Sequence, residues 1–79
     1  MSKISEMVRQ IVADNLKMAA EDIVMDMSIG DVPQWGSMAQ MEIIVALQNK
    51  FGVKIPMEDL FDLTSVGDLV AEVEKLKHV

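Results

Sequence analysis

The hydrophobic positions of the first segment set a helical period. Ile4, Met7, Val8, Ile11 and Val12 fall at offsets 0, 3, 4, 7 and 8, which is one face of a 3.6-residue repeat. The spacing predicts a helix over residues 3–16, with Ser2 as its N-cap and Lys17 at its C-terminal end, where a cation suits the helix dipole. From residue 18 to residue 36 the period fades. Gly30, Pro33 and Gly36 interrupt it, and Asp26, Ser28 and Asp31 supply turn chemistry. So long a connection in a small domain is usually functional or disordered. Here Ile23, Val24, Met25, Met27, Ile29 and Val32 offer enough apolar side chains to pin it to a core, so an ordered loop with one short helical turn is expected.

The period returns over residues 37–51, where Met38, Met41, Ile44, Val45 and Leu47 are read as the inward stripe. Gly52 follows as an αL C-cap glycine would. A shorter helix is predicted over residues 57–63, with Pro56 at its first turn. A last helix is predicted over residues 66–77, opened by a capping-box-like Ser65 and Asp68. It carries a stripe of Val66, Leu69, Val70, Val73 and Leu76, with Lys75 and Lys77 in its last turn. No strand-like alternation competes. The expected class is all-α: a four-helix bundle of three longer helices plus one short helix, a long ordered loop between the first two, and a single domain over residues 1–79.

Composition narrows what such a bundle does. The chain has 79 residues, a formal charge of −6, 51% hydrophobic residues and no cysteine. A core this small leaves little room for a deep enzyme cleft. The absence of cysteine removes disulfides, thiolate zinc sites and a thiol nucleophile. The acidic balance disfavours nucleic acid, which needs a basic stripe, and favours partners with a basic surface. The apolar fraction is too high for a disordered acidic tail. The longest apolar run, residues 43–47, has five residues, far short of a membrane span. The first eleven residues mix Lys3, Glu6, Arg9 and Gln10 with apolar ones, unlike a signal peptide. A cytoplasmic monomer that engages no membrane is expected.

Candidate chemistry is sparse. His78 is the lone histidine and is read as a surface residue, so no nucleophile has a base and no catalytic residue is assigned. Asp26, Asp31, Glu58, Asp59 and Asp62 do not follow calcium-loop spacing and are read as a solvated acidic face, with no metal expected. Gly30, Gly36, Gly52 and Gly67 are too scattered to cradle a phosphate. Ser37 stands apart, at a loop-to-helix junction directly after Gly36. It is read either as an ordinary N-cap serine or as a serine carrying a covalent phosphate ester, which a helix N-terminus stabilises.

The stretch Trp35-Gly36-Ser37-Met38, continuing through Met41-Glu42-Ile43-Ile44-Val45-Ala46-Leu47 to Phe51-Gly52-Val53-Lys54-Ile55-Pro56, resembles acyl carrier proteins. So does Asp59-Leu60-Phe61-Asp62-Leu63-Thr64-Ser65-Val66-Gly67-Asp68-Leu69. The resemblance covers nearly the whole chain. It implies that Ser37 receives 4′-phosphopantetheine from coenzyme A through a phosphopantetheinyl transferase, and that the arm's thiol carries acyl groups as thioesters. A carrier without cysteine is then consistent, because its thiol comes from the prosthetic group. The family pattern is usually Asp-Ser-Leu, whereas this chain reads Gly36-Ser37-Met38. Leu to Met is mild, but Asp to Gly removes a carboxylate beside the serine. Three explanations stand: a specialised carrier with a matching transferase, which is preferred, a poorly modified or unmodified relative, and a variant of an Asp parent. An unmodified interaction scaffold and an aminoacyl or peptidyl carrier stand as alternatives.

Two stretches without Lys or Arg, 18–49 and 55–74, hold eleven of the thirteen acids and would steer a basic enzyme surface toward Ser37. The expected docking surface comprises Trp35, Gly36, Met38, Met41 and Glu42, with Glu58, Asp59 and Asp62. Its expected users are enzymes that load and process acyl groups in fatty-acid, polyketide or related synthesis. Trp35 is read two ways, as a plug of the loop and as a partner contact. The eight methionines are read mainly as gap-fillers. Gln40, Gln48 and Asn49 sit where acids are expected in fatty-acid carriers, which suggests a dedicated partner set.

Overall fold

The computed structural model describes residues 3–77, so the readings of Ser2 as N-cap and His78 as surface residue lie outside the described residues. Helix α1 spans Lys3–Leu16, α2 spans Ser37–Phe51 and α3 spans Val66–Lys77. Two 3₁₀ segments complete the set: a single turn at Ala20–Asp22 and a longer piece at Met57–Asp62, which takes the place of the short helix expected over 57–63. No strand occurs among the described residues. Ser28 and Ser65 form one isolated antiparallel bridge. The all-α bundle with one short member is the fold.

The helix ends follow the chemistry expected of them. Gly52 closes α2 at φ 65°, and Val53 N–H donates to the Gln48 carbonyl at 3.2 Å. This is the six-to-one bond of a left-handed cap. At α1 the same bond runs from Met18 N–H to Ala13 O at 3.0 Å, and Lys17 takes the left-handed position at φ 58°, a conformation strained for a side chain with a Cβ. The box at α3 is reciprocal. Asp68 N–H donates to Ser65 Oγ, and Ser65 N–H donates to Asp68 Oδ2, both at 3.1 Å.

The three helices pack against one another, with α1 touching both α2 and α3. Val8, Val12, Ile43, Leu47, Val66, Leu69 and Val73 are fully buried between them. Helix α2 buries only part of the stripe expected of it: Ile44 and Leu47 point inward, and the other three members do not. Met38, Met41 and Val45 are 78%, 55% and 50% exposed, while Ile43, Ile44, Leu47 and Phe51 are buried. Residues 38–47 are apolar almost all round, so two stripes compete and periodicity alone cannot choose between them. Packing against α1 and α3 selects the β-branched and leucine face.

The long loop is ordered by backbone bonds as well as by apolar pins. Ile23 and Met27 are buried, but Val24 and Met25, expected to point inward, are exposed. Arg9 donates from Nε to Ile23 O at 2.9 Å and from Nη2 to Ala20 O at 2.8 Å, charge-assisted bonds that fix the 3₁₀ turn against α1. Further along, Ile29 N–H donates to Thr64 O, Val66 N–H to Met27 O and Gly67 N–H to Met25 O, all within 2.8–3.0 Å. The loop is thereby laced to the start of α3, and it delivers residues 35–37 to one end of the bundle.

Candidate functional site

Helix α2 opens on Gly36, not Ser37. Gly36 is the N-cap at φ −111° and ψ −162°, an extended conformation open to any residue, and its carbonyl accepts from Gln40 N–H at 3.0 Å. Ser37 is therefore the first helical residue, and the N-cap reading of its hydroxyl is corrected. No side chain caps this end, and the first turn holds no acid. A Cβ built on Gly36 meets no atom within 4 Å, so neither sterics nor dihedrals require a glycine there. Ser37 is exposed, and its hydroxyl is bonded to no other group of the site.

Trp35 is corrected from the docking surface to the core. It is fully buried, and its Nε1 donates to Gln40 Oε1 at 2.8 Å. A bulky ring with its polar atom satisfied internally plugs the loop onto the bundle. Its backbone closes the turn that presents Ser37: Gly30 N–H donates to Trp35 O at 2.9 Å, and Trp35 N–H to Val32 O at 3.1 Å.

Beside Ser37 lies a groove of about 360 Å³ lined by Ser37, Gln40, Met41, Ile44, Ile29, Met57, Leu60 and Phe61. A neighbouring cleft of about 520 Å³ shares Met41, Ile44, Met57 and Leu60 and runs on past Val45, Gln48, Ile55 and Pro56. Together they form an apolar trough between α2 and the 3₁₀ helix. Met57 and Phe61, 78% and 86% exposed, stand at its rim. The sequence reading overlooked them as surface residues. Their setting among Glu58, Asp59 and Asp62, in a segment too short to bury a full face, is the signal that points outward.

The remaining predicted residues divide. Gly36, Met38, Met41, Glu42, Glu58 and Asp62 are exposed on α2 and the 3₁₀ helix. Asp59 turns to α3 instead, where Lys75 Nζ lies 3.2 Å from its Oδ2 and 3.4 Å from Glu72 Oε1. Its charge is paired within the chain, while its side chain stays part-exposed. Hydrogen bonds with Glu72 and then Lys75 hold the Asp59 carboxyl below its ordinary range. Glu72 is 6% exposed and its Oε2 has no hydrogen-bond partner among the described residues. Burial first, and the neighbouring Asp59 second, push its carboxyl upward. At Asp68, burial pushes up, but hydrogen bonds from Thr64 and Ser65 together outweigh it and hold the group low.

Gln48 and Gln40 also acquire internal roles. Gln48 Oε1 accepts from Ile55 N–H at 2.8 Å, tying the segment after α2 back to that helix. Gln40 bonds to both Trp35 and Leu63. The neutral amide at Gln40 has a structural reason, since it must accept and donate at once, which weakens the link drawn from that position to a dedicated partner set.

The residues at this end of the bundle fit a phosphodiester-linked arm. The serine is exposed, no neighbouring side chain crowds or occupies its hydroxyl, and the trough beside it is apolar. In comparisons with known proteins, a family model for the phosphopantetheine attachment site matches residues 6–73. The chain is 38% identical over 68 residues to an acyl carrier protein of Rhodococcus erythropolis, covering 86% of this chain and 75% of that one. It is 36% identical over 71 residues to the meromycolate extension acyl carrier proteins of Mycobacterium bovis and Mycobacterium tuberculosis, covering 90% of this chain. The chain spans 62% of the length of those two relatives.

Proposed function

This chain belongs to the acyl carrier protein family, whose members carry covalent 4′-phosphopantetheine, and on that premise we propose that Ser37 is the attachment point and that the chain shuttles acyl thioesters between partner enzymes. The observation that carries the reading is an exposed serine at the first residue of α2, opening onto an apolar trough. In the loading step the Ser37 hydroxyl oxygen bonds to the phosphorus on the pantetheine side of the coenzyme A pyrophosphate. The bond to the 3′,5′-ADP leaving group breaks, and the hydroxyl proton passes to a base of the transferase. The arm then supplies the thiol on which cargo is held. The chain itself contributes position, an anion-tolerant helix end and shelter for an apolar cargo. Chemistry on that cargo belongs to the partners.

The cargo is proposed as an acyl chain rather than an aminoacyl group, because the trough beside Ser37 is lined largely by Met41, Ile44, Met57, Leu60 and Phe61. Fatty-acid synthesis or a related specialised pathway, including the meromycolate extension named for the mycobacterial relatives, fits that lining. The partners are a phosphopantetheinyl transferase and enzymes with basic docking surfaces.

The test is an intact-mass measurement after incubation with coenzyme A and a broad-specificity phosphopantetheinyl transferase. The wild-type chain is expected to gain the mass of one arm, and Ser37→Ala to gain none. A Gly36→Asp sample run alongside separates two failures. If it is modified and the wild type is not, the glycine selects a dedicated transferase. If neither is modified, Ser37 is not an attachment point and the chain acts as an unmodified scaffold.

A further inference from the structure

Three elements meet at one side chain. Gln40 Oε1 accepts from Trp35 Nε1 at 2.8 Å, and Gln40 Nε2 donates to Leu63 O at 2.7 Å. Trp35 ends the loop that presents Ser37, Gln40 lies in the first turn of α2, and Leu63 is the C-cap of the 3₁₀ helix. Gln40 also lines the groove onto which Ser37 opens. The 3₁₀ helix buries no residue of its own between Met57 and Asp62. Its apolar anchors are Ile55 and Leu63 at its two ends, each 5% exposed, with Leu60 half-buried against the core between them. The outer wall of the groove is thus held by few links, and the amide of Gln40 is one of the shortest.

The two bonds make opposite demands. The indole needs an acceptor and the Leu63 carbonyl needs a donor. A carboxylate of the same length supplies only the first, an ammonium or guanidinium only the second, and an apolar chain neither. We propose that Gln40 is a positioning residue: it latches the 3₁₀ wall to the serine-bearing end of α2 and sets how far the groove beside Ser37 opens. Its meaning for cargo rests on the reading of Ser37 as the attachment point. The latch itself does not, and its test uses the unmodified chain, so the two fail separately.

Gln40→Glu keeps the acceptor for Trp35 and removes the donor to Leu63. Near neutral pH the Trp35 indole N–H is expected to stay protected in NMR hydrogen exchange. The amides of Asp59 and Leu63, bonded to Pro56 O at 3.0 Å and Leu60 O at 3.3 Å, should exchange about tenfold faster than in the wild type, the loss expected when a part-buried carbonyl is left without its donor. Amides in the middle of α1 and α3 should be unchanged. On acidification through the carboxylate range, the protonated side chain regains an O–H donor, and the ratio of variant to wild-type exchange should return toward one. Gln40→Met removes both bonds, so it should also expose the indole N–H and show no acid rescue. The proposal is overturned if Asp59 and Leu63 exchange at the wild-type rate in Gln40→Glu. It is equally overturned if the acceleration is uniform across α1 and α3, or if the ratio does not change with pH.

Discussion

At the scale of single residues, the choice at position 36 is the most informative. The backbone there is extended and the space beside Cα is open, so glycine brings no conformational advantage. An aspartate would cap the free N–H groups of α2, meet the positive end of the helix dipole and narrow the unfolded ensemble. Gly36→Asp is therefore expected to stabilise the unmodified chain by about 1 kcal/mol at neutral pH. Part of that gain should disappear as the new carboxylate is protonated, and urea unfolding at neutral and acid pH measures both. If the substitution is neutral or destabilising, the open N-cap is not what the geometry indicates. The Ser65–Asp68 box and the Gly52 cap were legible because each is a local rule with few competing solutions. Trp35 was legible in part: the plug reading holds, but a tryptophan beside a loop glycine also suits display. Its indole partner lies five residues ahead, at a position the sequence marked only as lacking an acid.

Between elements, the question is what holds the 3₁₀ helix to α3. Periodicity gave α1 and α3 their faces because each has one apolar stripe, whereas α2 has two and its groove-lining face was read as core. The pairing of Asp59 with Lys75 and Glu72 was invisible along the chain, because an acid sixteen residues before a lysine carries no local signature. The carboxyls of this cluster and of the α3 cap make stability depend on pH in two directions. The depressed Asp59 and Asp68 carboxyls contribute stability above their ordinary values, and it is lost as pH falls through the folded-state values. The raised Glu72 carboxyl does the reverse: its contribution is present below the ordinary glutamate range and is lost as pH rises through its elevated folded-state value. Glu72→Gln keeps the shape, cannot ionise and still offers Asp59 a donor. It is expected to match the wild type near pH 4 and to be the more stable of the two at pH 7. Denaturant midpoints at the two pH values check this, and a difference that stays constant with pH would sink the assignment.

Across the whole molecule, the charge of −6 and the exposed apolar residues of α2 and the 3₁₀ helix belong to one proposed surface with two separable jobs. Glu42, Glu58 and Asp62 are exposed there, between and beside Met38, Met57 and Phe61. Exposed charges act at a distance limited by screening, about 10 Å at 0.1 M salt, so they govern the rate of encounter with a basic enzyme surface. Apolar side chains act only after contact, so they govern how long the complex lasts. The modifying transferase, whose substrate is the unmodified chain, gives a clean assay of both. Raising salt from 0.05 to 0.5 M is expected to lower the association rate constant about tenfold and to change dissociation little. Glu42→Lys and Glu58→Lys should each lower association severalfold at low salt and converge on the wild type at high salt. Asp59→Asn should have a smaller effect than either reversal, because it neutralises a charge where each of those inverts one. Met38→Ser and Phe61→Ser should raise the dissociation rate with no change in the salt slope. Stopped-flow association at several ionic strengths distinguishes these outcomes. If Asp59→Asn matched Glu58→Lys, or if Phe61→Ser altered the salt slope, encounter and residence would not divide between charge and apolar contact as the geometry of this face requires.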